Sequence, residues 1–117
     1  MRKGFKKGYK VVRKSHGRLL SITRTKHPTV YLLERFVERE KGCGPLGVFK
    51  DFPAALSFAR SWRHSRVYFC EYAPSKAKGF WSKYSEFRPT YRQRFMIVQR
   101  GADCANSVKL IHRAIED

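Results

Sequence analysis

Acidic residues are scarce in this chain. Nine Asp and Glu stand against 26 Lys and Arg, the formal net charge is +17, and no acid precedes Glu34. Cysteine is also sparse. Cys43, Cys70 and Cys104 are far apart, odd in number and form no CxxC pair, which argues against a disulfide framework and against a zinc finger. Cys70, in an apolar run, is expected to be a buried thiol, and Cys43, between glycines, an exposed one. No run approaches the roughly 20 apolar residues of a membrane span. The basic N-terminus has no apolar h-region behind it, so a secretory leader is not expected. These absences place the chain in the cytoplasm or within a nucleoprotein or virion assembly, not among secreted proteins.

Catalytic constellations are missing too. There is no P-loop, GxGxxG, GxSxG or HExxH, and His16, His27, His64 and His112 are scattered. The internal glutamates Glu34, Glu38, Glu40, Glu71 and Glu86 show no spacing that marks an acid/base pair. The chain therefore reads as non-enzymatic, with no catalytic residue, no cofactor and no metal expected.

Enough apolar material is present for one compact core. At 117 residues, 42% hydrophobic and 15% aromatic, the composition excludes a wholly disordered chain and fits a single domain. Residues 1–8 (MRKGFKKG) read as a basic arm and 9–117 as the domain. Tyr9 to Arg13 and Arg18 to Arg24 read as two strands of a hairpin around Ser15-His16-Gly17. Further strands are expected in Thr29 to Val37, where the spacing of Leu32, Leu33, Phe36 and Val37 leaves a helix open as the alternative, and in Leu46 to Lys50, Arg66 to Tyr72 and Arg94 to Gln99, with a long loop from Ala73 to Pro89.

Two segments carry helical spacing. Asp51 to His64 has Pro53 in its first turn and an apolar stripe of Ala55, Phe58, Ala59 and Trp62. Asp103 to Ile115 has a stripe of Cys104, Val108, Ile111 and Ile115. The expected fold class is therefore α+β: a mostly antiparallel sheet of about five or six strands with two helices, about 52–64 and 103–115.

The excess of cations calls for a partner that supplies negative charge, since unpaired cations repel one another and destabilise the compact state. Two basic segments stand out. The acid-free N-terminal stretch offers Lys6, Lys7, Lys10, Arg13, Lys14 and Arg18 as phosphate contacts. Near the C-terminus Arg88, Arg92 and Arg94 interleave with aromatics including Trp81 and Tyr84, a pattern suited to cations tracking a backbone while rings stack on bases. It suits equally a protein interface anchored by Trp, Tyr and Arg, or aromatics folded back on the core. The partner is thus nucleic acid (DNA or RNA) or the acidic surface of a protein such as a nucleic-acid-handling enzyme. The leading expectation is a non-enzymatic basic accessory protein that contacts mainly phosphate.

A resemblance covers about half the chain. From Gly8 to Tyr72 it runs GYKVV, GRLLS, VYLLE, GVFKDFPAALSFA and RVYFCEY. This GVF-x5-A-x2-FA rhythm resembles small α+β domains of phage and bacterial genomes, and its strand–helix–strand order is similar to that of diphtheria-toxin-like ADP-ribosyltransferases. The first likeness implies a phage or virion accessory role. The second would set Arg13 at the nicotinamide-pocket position and Ser21 at the Ser/Thr strand position. No ExE or QxE motif follows, so it implies at most a degenerate, inactive relative.

Overall fold

The computed structural model describes residues 4–22, 29–41, 45–76, 79–80, 96–97 and 101–114. Three long strands form its frame: β1 (Lys6–Ser15), and, later in the chain, β6 (Ser65–Pro74) and β9 (Ala102–Arg113). β6 pairs antiparallel along one edge with β1, from Lys6↔Tyr72 to Arg13↔Ser65, and along the other with β9, from Tyr68↔Arg113 to Pro74↔Ala105. The free edges of β1 and β9 then meet a fourth strand, β5 (Leu46–Phe49), which pairs with β9 over Leu46↔Ala105 to Phe49↔Ala102 and touches β1 at Tyr9↔Phe49. The circuit β1–β6–β9–β5 is a closed four-stranded barrel.

β5 is too short to complete this wall. The rest is made by β2 (Arg18–Ser21), β3 (Val30–Tyr31) and β4 (Phe36–Glu38). β2 pairs with β1, β3 with β2 and β4 with β9, and Leu33 bridges to Leu110 between β3 and β4. β1 and β2 are joined through His16 (φ 51°) and Gly17 (φ 78°). Two consecutive positive-φ residues make the turn that matches strand twist in a tight hairpin, as the Ser15-His16-Gly17 reading anticipated.

Two cores lie on the two sides of β1. Val12, Tyr31, Leu46, Val48, Cys70, Tyr72, Ala105, Val108 and Leu110 fill the barrel. Val11, Ile22, Phe49 and Val67 pack on its outside under Ala55 and Ala59 of α1 (Phe52–Ala59). Asp51 caps α1 by accepting a bond from the Ala54 N–H at 2.9 Å, with Pro53 in the first turn.

The α+β expectation with two helices is corrected here. Strands hold 59% of the described residues, and α1 is the single helix among them. The segment 103–115, expected as a helix, lies mostly in β9. Its misleading spacing has a cause. The register with β6 skips Asn106 and Ile111, a bulge at each. A bulge shifts the alternation by one residue, so the expected stripe is not one face of the strand: Val108 points into the barrel with Ala105, Leu110 and Arg113, whereas Cys104 has the parity opposite to Ala105 and Ile111 is itself a skipped residue. The helix expected over 52–64 stops at Ala59. Ser65 Oγ donates to the Ala59 carbonyl at 2.8 Å, Trp62 N–H turns back to the same carbonyl at 3.0 Å, and His64 takes a left-handed φ of 59° into β6. The strand expected over Thr29 to Val37 is broken by Glu34 at φ 61°.

Of the segment read as an arm, residues 1–3 lie outside the described residues. Phe5 packs edge-on against Phe36 at 5.0 Å, and Lys6, Lys7 and Gly8 are strand residues. The expected strand Arg94 to Gln99 contains β8 (Met96–Ile97), which pairs with β7 (Gly79–Phe80) in a separate two-stranded sheet.

Gly8 marks the tightest point of closure. A Cβ there would stand 2.6 Å from the Phe49 carbonyl oxygen and 3.0 Å from the Tyr72 ring. Gly8→Ala must therefore push β1 away from β5, and we expect a loss of about 2 kcal/mol, typical of overpacking. The midpoint of urea unfolding measures it, and an unchanged midpoint would show that the barrel yields at that corner.

Candidate polyanion-binding end of the barrel

Strand direction divides the predicted cations. β1 spans roughly 30 Å at its ordinary rise per residue, so Lys6 and Arg18 belong to opposite ends of the barrel. Lys7 lies opposite Glu71 in the β1–β6 register, and Glu71 pairs with Lys109 at 3.4 Å. These three, with Glu34 and Ile111, line an open groove of mixed charge, where attraction for a polyanion is largely offset.

Lys10 is not on the surface at all, and its expected contact with a partner is corrected. It is 7% exposed, and it points into the barrel where β5 and β3 divide the fourth wall. Its ammonium donates to the Gly47 carbonyl at 2.6 Å and lies 5.2 Å from the centre of the Tyr31 ring. Burial pushes its pKa down to about 8, against a smaller opposing influence of Cys70. Burial likewise pushes the Cys70 thiol up to about 12, and Tyr72, buried and donating to Asp103 Oδ2 at 2.8 Å, is raised as well. Cys70 and Cys104 are free buried thiols, as expected for the first. Cys43 lies outside the described residues.

The remaining predicted N-terminal cations gather at one end. Arg13, Lys14 and Arg18 flank the β1–β2 turn, and the chain from α1 to β6 docks on them. Lys14 N–H donates to the His64 carbonyl at 3.0 Å, and Arg13 lies opposite Ser65. This brings in cations that the sequence reading passed over: Arg60, Arg63 and Arg66 from that connection, and Arg113 from the end of β9. Directly opposed residues share a face of the sheet. Lys14, Arg66 (opposite Val12) and Arg113 (opposite Tyr68) therefore share the barrel's inward parity on three adjacent strands. Diagonal neighbours of this kind stand about 7–8 Å apart, so the three form a rim of positive charge at the barrel mouth. Arg113 Nε is buried there without a hydrogen-bond partner. Arg13 points outward, on the α1 side.

Among the described residues, no acid lies in the β1–β2 turn, the stretch 60–66 or the stretch 111–114. The acids among the described residues stand elsewhere: Asp51 at the start of α1, Asp103 on Tyr72, Glu71 on Lys109, and Glu34, Glu38 and Glu40 around β4. The sequence signal for this end was weak, because its cations come from segments up to 100 positions apart (Arg13 and Arg113). Trp81, Tyr84, Arg88, Arg92 and Arg94 lie outside the described residues.

Arg13 and Ser21, set together by the transferase likeness, fall on opposite faces of the hairpin. Ser21 shares a face with Val12, and its hydroxyl accepts from Thr29 N–H at 3.0 Å, which closes the loop between β2 and β3. No group of three or more His, Cys, Asp or Glu suited to a metal occurs among the described residues, and among them no helix is long and apolar enough to cross a membrane. No family model, no curated protein and no solved structure matches the chain.

The lowered Lys10 pKa has a signed consequence. The unfolded chain holds the Lys10 proton up to pH 10.5 and the folded chain only to about 8, so the unfolded state binds more protons between them and folding gains with rising pH. Cys70 acts the other way above pH 9, since the folded thiol keeps its proton to about 12. Substituting Lys10→Met isolates the first effect. Its stability advantage over the native chain should shrink by roughly 2–3 kcal/mol between pH 7.5 and 10.5. Urea melts at a series of pH values measure this, and a constant difference would mean that the ammonium reaches water.

Proposed function

We propose that the protein is a non-enzymatic basic accessory protein that binds nucleic acid, or a nucleoprotein assembly, through the phosphates. The cationic end of the barrel is the binding surface. The observation that carries this reading is the charge layout: Arg13, Lys14, Arg18, Arg63, Arg66 and Arg113 converge from three separate stretches of chain on one end that has no acid among the described residues, while the described acids are held elsewhere. Placing these cations together costs folding energy by mutual repulsion, and a bound polyanion offsets it. Arginine also fits phosphate oxygens with two parallel donors.

Binding of this kind releases counterions and reads little sequence. The rim arginines and Lys14 position the backbone, and the rigid strands beneath fix their spacing. The expected place of action is a nucleoprotein complex, including a phage or virion particle.

Titration of salt against affinity for random-sequence DNA and RNA tests this. The native chain should show a steep linear fall of log K with log salt. Lys14→Ala, Arg66→Ala and Arg113→Gln should each flatten the slope by about one. Failure to bind either nucleic acid at low salt, with the protein folded, would remove this reading and leave an acidic protein surface as the partner.

A further inference from the structure

The exposed aromatic at the same end narrows the ligand. Trp62 was expected in the buried stripe of a helix, but it lies beyond the end of α1 and is 44% exposed. The large hydrophobic side chains named as exposed among the described residues are Leu32, Leu33 and Trp62. Leu32 and Leu33 sit by the groove side, between β3 and β4, and Trp62 is the one that lies in the basic connection, flanked by Arg60 and Arg63. Its position is fixed from behind. The indole leans on Phe58 with ring centres 6.0 Å apart, and Phe58 leans on Phe49 at 5.4 Å, which belongs to the outer core. The Trp62 N–H to the Ala59 carbonyl holds the backbone at 3.0 Å.

We propose that the ligand of the basic end is single-stranded nucleic acid, and that one of its bases stacks on Trp62 while the neighbouring phosphates lie on Arg63 and the rim. This rests on the phosphate-binding reading above and adds the strandedness. A duplex keeps its base faces stacked inside and offers an exposed ring only its charged backbone. A single strand can turn a base outward onto an aromatic and still track a row of cations. Because the Phe49–Phe58–Trp62 series already holds the indole, little side-chain freedom is lost on stacking.

The test uses the full chain with a fluorescent oligo(dT) and a random duplex of equal length at low salt. Trp62→Ala should weaken oligo(dT) binding about tenfold, the size of a single base–aromatic stack, with the salt slope unchanged and duplex affinity unmoved. Trp62→Phe should recover most of the loss, and melting curves of both variants establish that they fold. An equal loss on single strand and duplex, or no loss on the single strand, overturns the proposal. So does binding of polyglutamate as tight as that of oligo(dT). If in those cases Arg66→Ala and Arg113→Gln still flatten the salt slope, the phosphate-binding reading stands without the stacking. If the native chain binds neither strand form, both fall together.

Discussion

Everything in this fold depends on β6 being paired along both edges. One strand holds β1 on one side and β9 on the other, so the three form a curved sheet whose outer edges face each other. Unpaired edges are unfavourable and invite foreign strands, and β5 and the β2–β3–β4 group meet them. The two bulges of β9 give the curvature that closure requires. Gly8 lets β1 approach β5 at the seam, and the Lys10 ammonium joins the two parts of the fourth wall by holding Gly47 on one and lying over Tyr31 on the other. A cation placed there is costly to bury, and the low pKa is the measure of that cost.

Closure also arranges the charge. Antiparallel strands carry the end of β1, the start of β6 and the end of β9 to one rim, whatever their distance in sequence. The cations there are collected by topology. The same geometry sends Lys6 and Lys7 to the other end, where Glu71 and Glu34 share a groove with Lys7. The basic stretch at the N-terminus is thus divided among a rim, a groove and the barrel interior, and these three places have different partners.

The sequence was legible where local chemistry decides. The His16-Gly17 turn, the helix start with Pro53 in its first turn and the buried Cys70 follow from residue type and near neighbours. It misled where the pattern is shared by two structures. Bulges at Asn106 and Ile111 interrupt strict alternation in β9, so the segment lacked the period of two that marks a strand and read as a helix. The stripe that included Trp62 continued past Ala59 in sequence, but Ser65 and His64 end the helix to start β6 on time. For the site, Arg13, Lys14 and Arg18 were visible as an acid-free run. Arg66 and Arg113 were not, because their alliance exists only through strand register, and Lys10 looked like its neighbours until alternation turned it inward.

The place of β9 at the end of the described chain has a consequence for how the protein is made. During synthesis β1, β2 and α1 can form and β6 can join β1, because all their partners are already available. The other edge of β6 then waits for residues 102–113, and the barrel interior, including the Lys10 ammonium, stays open to water until they arrive. A chain that folds as it emerges would therefore expose a half-shell with a long unpaired strand, the kind of species on which strand-to-strand aggregation begins. The cationic character of the shell works against this, since like-charged half-shells repel one another before their edges can meet.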